Sequence, residues 1–600
     1  MQQRFEVDLP ALVAVLRDHL YSEPRVVVRE LVQNARDSIL QLGPLRPHGR
    51  ISVRTDADGR TLRVADNGVG MTAEQARSNL AVLAHSGTRL LRTRRDAADP
   101  TLAGALGGQF GIGFLTTLMV SEQVEVFSRS RMAGASAIHW VARHGSSEYA
   151  LEDCEWPGPG TEVVLTLTPR RASLAEAEAI RRLLVKYCDL VEFPIQLNDE
   201  PLPVNRMRPP WRDGPATREE LVRFLFETGR LKPGEEPLFA DCLPPDGPCR
   251  GMLFLPAKPA DAGKVALYCR NMFVHEDGSY LGGGLEFLDG VIECEDLPLT
   301  LGRDGVVAGP ALEQLRGTLR AGALAAMSAF RRLQPASWRT LVEACARPLK
   351  LAALQDQQVM DVAGDDLPLQ LANGESMPAS EILRQSPERV LYFDKRHGQT
   401  CYVDAFVGAE RLVIDATDRL DWLLLHRLSY QAGKEPCRVD GALDELAQPA
   451  EGSQWRLLER VTAALDPEME PRAVVLPSTL PALLAPAAAE ELAQAIREAR
   501  SAGVDVDALE ALQTALVREL PGAKRVLFLN THHRLIQVLA KALAREVGDE
   551  ELQLSIRSVI AGARACVEAS GSTQAWQVQA EALTALIQAV LERPRAQRQP

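Results

Sequence analysis

Between Val26 and Leu40 the chain reads VVVRELVQNARDSIL. Val28, Leu31, Val32, Ala35 and Ile39 recur at a period that only a helix with one face in a core satisfies. The same period sets Glu30, Asn34 and Asp37 within roughly 60° of arc on a neighbouring face. A row of acid, amide and acid beside a buried stripe is most often a solvated surface. Whether it is more than that depends on the segments downstream of it.

Three such segments occur in order. In VADNGVGM (Val64–Met71) a strand runs into Asp66 and then into Gly68 and Gly70. Such a stretch is often a plain turn. Glycines there also let a ligand lie against the backbone, leaving the Asp66 carboxylate as an acceptor for an exocyclic amine. Next comes NLAVLAHSGT (Asn79–Thr88), then the polar, basic RLLRTRRDAADPTLAGA, which suits a lid over a bound nucleotide. Last is GALGGQFGIGF (Gly104–Phe114), which feeds the helical LTTLMV. Backbone N–H groups of a glycine-rich turn before a helix present donors to an anion. Phe110, Ile112 and Phe114 interleave with the glycines, which a featureless loop does not need. No GK[ST] comes after it, so this is not a Walker loop, and the spacing is wrong for a dinucleotide fold.

Six hundred residues exceed one core and imply three or four domains. The hydrophobic content of 46% and charged content of 24% are those of a soluble globular protein. A net charge of −13 disfavours a protein built to grip nucleic acid. No apolar run is long enough to span a bilayer, and MQQRFEVDLP does not read as a signal peptide. The ten cysteines show no CxxC spacing, so reduced, mostly buried thiols, no zinc site and a cytoplasmic location are expected. Strand and helix signals alternate to about residue 205. Asp58-Gly59 marks a hairpin, and the pattern predicts a two-layer α/β sandwich. The Pro-rich PLPVNRMRPPWRDGP (Pro201–Pro215) marks a boundary. An α/β domain at 216–450 and a mostly helical domain at 451–600 complete the expected layout, behind a first domain at 1–205.

The ordered set of helix, strand-Asp-x-Gly-x-Gly, lid and glycine-rich turn resembles the ATP-binding domain of the GHKL superfamily. That group holds heat-shock-protein-90 chaperones, gyrase B-type subunits, MutL proteins and histidine kinases. YSEPRVVVRELVQNARDS, NLAVLAHSGT, GGQFGIGF and GTEVVLTL (Gly160–Leu167) are closest to the heat-shock protein 90 family in its bacterial HtpG-type form. KVALYCRNMFV and FLDGVIECEDLPLTLGRD extend the likeness into that family's middle domain, and LNTHHRLIQVLAKAL more faintly into its C-terminal domain.

The resemblance implies ATP with Mg²⁺ and assigns roles. Glu30 is the general base for the attacking water. Asn34 holds Mg²⁺, a hard ion that prefers oxygen ligands. Asp66 reads the adenine amine, and Thr161 supports that end. Asp37, Gly70, Met71 and Asn79 line the pocket. Gly108, Gln109, Phe110, Gly111, Ile112, Gly113 and Phe114 wrap the phosphates. Arg303 reaches the γ-phosphate as an arginine finger, and Arg29 helps to hold the closed state. The chain departs from the family pattern at His85 (usually lysine), Gly302 (usually serine) and Val307 (near a usual glutamine).

The implied function is an ATP-dependent chaperone that clamps non-native client proteins as a homodimer through C-terminal helices, with no nucleic-acid or membrane partner. The stripe Trp576, Ala580, Leu583, Ile587, Val590 and Leu591 is compatible with that dimer or with intramolecular core. The alternatives are a nucleotide-binding scaffold with little hydrolysis and a DNA-processing ATPase of the gyrase B or MutL kind.

Overall fold

The computed structural model describes residues 26–80, 113–244, 247–395, 400–450, 454–487, 524–544, 549–567 and 573–592, apart from positions 213, 215, 261 and 301. Two compact units divide at Ala344/Cys345.

The first unit contains two sheets. Helix α1 (Val26–Leu40) precedes strands β1 (Ile51–Asp56) and β2 (Thr61–Asp66), and α2 (Ala73–Leu80) comes next. Then come α3 (Leu115–Val120), β3 (Ser121–Arg129), β4 (Ala137–Arg143), β5 (Tyr149–Cys154), β6 (Gly160–Leu167), α4 (Ala177–Cys188) and β7 (Ile195–Leu197). The seven strands run in the order β5-β4-β3-β6-β2-β1-β7. All pairs are antiparallel except β1 with β7, where the chain returns to the sheet edge after α4. The hairpin expected at Asp58-Gly59 joins β1 to β2, with Asp56 Oδ1 accepting from the Gly59 N–H at 3.1 Å.

Val28, Val32 and Ile39 of α1 pack with Leu183 and Leu184 of α4 onto Ile51, Val53, Leu62, Val126 and Leu165 of the sheet. Each fully buried aliphatic side chain contributes about 1.5–3 kcal/mol. This core fixes the rotation of α1, so the polar row of the helix has one place to point.

Helix α5 (Arg218–Glu227), capped by a reciprocal Thr217–Glu220 box, leads into the second sheet. Its strands are β8 (Phe239–Cys242), β9 (Cys249–Leu255), β10 (Val265–Cys269), β11 (Met272–Glu276) and β12 (Asp289–Cys294), in the order β11-β10-β12-β9-β8. KVALYCRNMFV forms the hairpin of β10 and β11. Arg270 and Asn271 turn it at φ of 50° and 65°, the left-handed pair of a tight hairpin. Helix α6 (Pro310–Leu333) closes this part.

The Pro-rich stretch is packed: Trp211 is buried, its Nε1 donates to Glu293 Oε2 at 2.9 Å, and Arg212 binds both oxygens of the same carboxylate. One expectation needs correction. The cysteines are not all reduced: Cys249 and Cys294 form a disulfide. They face each other in the β9–β12 register, with Cα atoms 4.5 Å apart, the close spacing of a non-hydrogen-bonded antiparallel pair.

The second unit holds a three-stranded parallel sheet of Val413–Asp415, Arg389–Phe393 and Glu435–Arg438, and a four-stranded sheet that includes Met469–Val475, Ala482–Ala485 and Arg525–Asn530. Residues from Leu391 to Ile587 share one core. The region from 451 is helical, as its composition suggested, but it also carries strands that the Ala/Leu-rich sequence did not reveal. Trp576, Ala580, Ile587 and Val590 of the C-terminal stripe are buried within this unit, whereas Leu554, Val578 and Leu586 are exposed. No helix among the described residues is long and apolar enough to cross a membrane.

Candidate functional site

The site is built along α1. Asn34 is the one exposed residue of this helix, while Glu30 and Asp37, one turn to either side, are buried. The sequence-predicted row therefore opens through the amide and sets its acids deeper. The polar face continues to Ser38, eight residues beyond Glu30 and so roughly 12 Å along the axis.

At the Ser38 end lies Asp66, the last residue of β2. Its Oδ1 accepts from Ser38 Oγ at 2.9 Å and from the Gly68 N–H at 2.8 Å. Among the described residues nothing bonds Oδ2, which leaves one acceptor for an incoming donor. Burial pushes the carboxyl up to about 7, against the opposing pull of the Gly68 N–H and the Ser38 hydroxyl.

Thr161 stands directly opposite Asp66 in the β2–β6 register. Its Oγ1 lies 2.9 Å from the buried Ser128 hydroxyl. Ser128 also accepts the Met71 N–H and donates to the Gly160 carbonyl, both at 2.9 Å. A hydroxyl has one proton, so Thr161 is the donor in their shared bond. Ser128 thereby ties the turn after Asp66 to β6.

Gly70 sits at φ +63°, and a Cβ there would fall 1.9 Å from the Arg129 carbonyl oxygen. The DNGVG turn thus lies flat against the β3–β4 end, and Arg131 N bonds Val69 O at 2.9 Å. Met71 and Asn79 are half-buried.

At the Glu30 end, the segment after β12 folds back as a hairpin. Thr300 Oγ1 donates to Asp304 Oδ1 at 2.7 Å, and Leu299 bridges Val306. Arg303, at its tip, holds φ +52°, an uncommon conformation for a residue with a side chain. Arg29 of α1 donates to the Arg303 carbonyl at 3.0 Å and to the Gly302 carbonyl at 2.6 Å. The Arg303 side chain turns back toward α1: Nη1 is 3.3 Å from Glu30 Oε1 and donates to Gln33 Oε1. Arg29 Nη2 lies 3.6 Å from the same Glu30 oxygen. Gly113 closes the other side, where a Cβ would meet Glu30 Oε2 at 2.2 Å.

A second tie between the two sheets lies one turn along α1. Buried Arg36 holds Glu192 with both Nε and Nη2, at 2.8 and 2.9 Å, and Asn271 at the β10–β11 turn donates to the same carboxylate at 2.9 Å. Burial pushes the Glu192 carboxyl up, but the Arg36 guanidinium and its hydrogen bonds outweigh that and hold it below its ordinary range.

The structure thus brings Glu30, Arg29, Arg303 and Gly113 into one cluster and Asp66, Gly70 and Thr161 into another, with Asn34 opening between them. Phe114 packs edge-on against Trp140, with ring centroids 5.6 Å apart, as part of the core rim. Asp37 is buried, with Arg36 Nη1 3.6 Å from its Oδ1. Gly108, Gln109, Phe110, Gly111, Ile112 and the lid stretch with His85 lie outside the described residues. Gln33, Ser38 and Ser128 were missed from sequence. Ser38 continues the row of Glu30 and Asn34 at helical spacing, a signal that was there to read.

The donor set fits a purine nucleotide with its metal. Asp66 Oδ2 offers an acceptor, and Gly70 lets the turn that follows Asp66 pack against the Arg129 backbone beside it. Among the described residues no three His, Cys, Asp or Glu side chains converge as a metal site. Asn34 Oδ1 alone suits Mg²⁺, which keeps waters and takes its other ligands from phosphates.

Comparison with known proteins agrees with this geometry. Residues 21–154 match the family described as histidine kinase-, DNA gyrase B-, and HSP90-like ATPase. The mitochondrial 75 kDa heat shock protein of Bos taurus is 29% identical over 346 residues, covering 53% of this chain and 47% of that protein. The chaperone protein HtpG of Methylobacterium nodulans is 30% identical over 381 residues, 60% of this chain and 62% of its own. HtpG of Halorhodospira halophila is 25% identical, with 93% of this chain and 95% of that protein covered. The chain spans about half the length of the mitochondrial relatives it matches.

Proposed function

We propose that the chain, similar to HtpG chaperones and carrying a histidine kinase-, DNA gyrase B-, and HSP90-like ATPase domain, is a divergent HtpG-type member of the heat-shock protein 90 family and an ATP-dependent molecular chaperone. The observation that carries the proposal is the meeting of Arg303 with Glu30. A cation from the hairpin after the second sheet reaches the carboxylate of α1, 273 residues away, and Arg29 fastens that hairpin to the helix.

In this reading Asp66 and Thr161 hold the adenine end of ATP, with Ser38 and Ser128 orienting them. Asp37, Gly70, Met71 and Asn79 line the pocket, and residues 108–114 wrap the phosphates. Asn34 holds Mg²⁺, which when bound neutralises phosphate charge. Glu30 accepts the proton of the water that attacks the γ-phosphorus as the bond to the β-phosphate oxygen breaks. Arg303 stabilises charge on the transferring group, a contribution worth several kcal/mol of barrier in such sites. Binding and hydrolysis then drive lid closure and the clamping of non-native client proteins.

We further propose the layout of a nucleotide domain at 1–205, a middle domain at 216–450 that carries the arginine hairpin, and a helical dimerisation domain at 451–600. The stripe through Trp576 serves the core of the second unit. Exposed Leu554, Val578 and Leu586 on the helices Asp549–Val567 and Thr573–Glu592 are therefore the candidate homodimer contacts. A cytoplasmic setting, without nucleic-acid or membrane partners, completes the reading.

The test is steady-state ATP hydrolysis by the wild type, Glu30→Ala and Arg303→Ala, with an adenine-pocket inhibitor as control. Inhibitor-sensitive turnover in the wild type, lost in Glu30→Ala and lowered to a measurable residual rate in Arg303→Ala, is the expected result. A wild type no faster than Glu30→Ala removes hydrolysis and leaves a nucleotide-binding scaffold.

A further inference from the structure

We infer that Gln33 is a positioning residue for Arg303, and that it keeps this arginine from being captured by the general base. The inference rests on the proposed ATPase activity.

Gln33 lies three residues beyond Glu30 on α1, so the two side chains are neighbours. It is 6% exposed, and its Oε1 accepts from Arg303 Nη1. The Arg303 side chain is itself only 11% exposed. Among the described residues its side-chain hydrogen-bond and ion-pair partners are Glu30 and Gln33 alone. The residue four positions further on, Val307, is apolar and 46% exposed, so it offers the guanidinium no acceptor.

An arginine held only by Glu30 would settle into a two-pronged ion pair with it, the geometry such pairs prefer. That would occupy the oxygens needed for water and turn the guanidinium away from phosphate. Gln33 shares the Nη1 hydrogens with Glu30, and among the described residues Nη2 and Nε have no hydrogen-bond or ion-pair partner, which leaves them for phosphate. A neutral amide does this without cancelling the positive charge, which an acid at the same position would do. Arg29 fixes the backbone of the same residue through the Gly302 and Arg303 carbonyls. Main chain and side chain of Arg303 are thus set by two different residues of one helix.

The test uses the full-length chain with Gln33→Met, which keeps the volume and removes the acceptor, beside Gln33→Ala. Each is made in the wild-type and Arg303→Ala backgrounds, and melting temperatures confirm folding. Both single variants should lose about tenfold or more in kcat with KM for ATP within about twofold, and neither should add a loss when Arg303 is already gone. Wild-type turnover in Gln33→Met overturns the inference, because packing alone would then suffice. So does an equal loss in the Arg303→Ala background, which makes the role independent of the arginine. Glu30→Ala runs alongside: activity there equal to wild type overturns the hydrolysis reading itself, a separate and recognisable outcome.

Discussion

If Asp66 reads the base, as proposed, nucleotide affinity should depend on pH near neutrality. Its carboxyl is pushed up to about 7 by burial, so at that pH half the free protein carries a proton there. An exocyclic amine is a donor and needs the ionised acceptor. The sign is then fixed: the folded pKa lies above the ordinary 3.8, so lowering the pH through 7 protonates the acceptor and weakens binding. At pH 6 about one site in eleven is ionised, which predicts roughly tenfold weaker affinity than at about pH 8.5. Titration calorimetry with Mg·ADP across that range reads the effect. In two buffers of different ionisation enthalpy, release of about half a proton per site is expected at pH 7. Asp66→Asn keeps an acceptor for Ser38 and Gly68 on one side and presents no ionisable group. It should flatten the extra pH dependence and cost about 1.5–3 kcal/mol, the worth of a hydrogen bond to a charged partner. If Asp66→Asn binds as tightly as wild type with the same pH profile, Asp66 does not read the base.

Single contacts give three further expected outcomes. Gly70→Ala places a Cβ 1.9 Å from a carbonyl oxygen in a left-handed backbone, so it should abolish detectable nucleotide binding in calorimetry while far-ultraviolet circular dichroism stays near wild type. Arg36→Ala leaves the half-buried Glu192 carboxylate without its guanidinium and should cost about 1–3 kcal/mol in a denaturant titration, with the transition of the first unit moved most. Leu586→Glu puts a charge on an exposed apolar position of the last helix; light scattering should report loss of the dimer, and an unchanged mass would remove Leu586 from the interface.

Much of the candidate site was legible because it is local. The spacing of Glu30 and Asn34, the turn after Asp66, and the glycine at 70 each lie within a few residues, where helix and turn geometry translate directly into position. Contacts made across the chain were not readable from spacing. Gln33 looks like any polar residue on a helix until Arg303 is seen against it. Ser128 reads as an inward strand position, and only the register between β3 and β6 gives it Thr161. Cys249 and Cys294 are 45 residues apart, and their pairing depends on strand alignment rather than on any motif. The strands Ala482–Ala485 and Arg525–Asn530 were missed because short apolar runs in an Ala/Leu-rich region do not distinguish a buried strand from a helix. The role of Arg303 itself came through family likeness, and periodicity had nothing to say about it.

The bonds from Arg29 to the Gly302 and Arg303 carbonyls give the machine a clutch. In the proposed reading Asp66 and Thr161, which hold the base, belong to the first sheet, whereas Arg303 follows the last strand of the second. On the proposed function, weakening those bonds should lower turnover more than nucleotide affinity. Occupancy and work can therefore be governed separately.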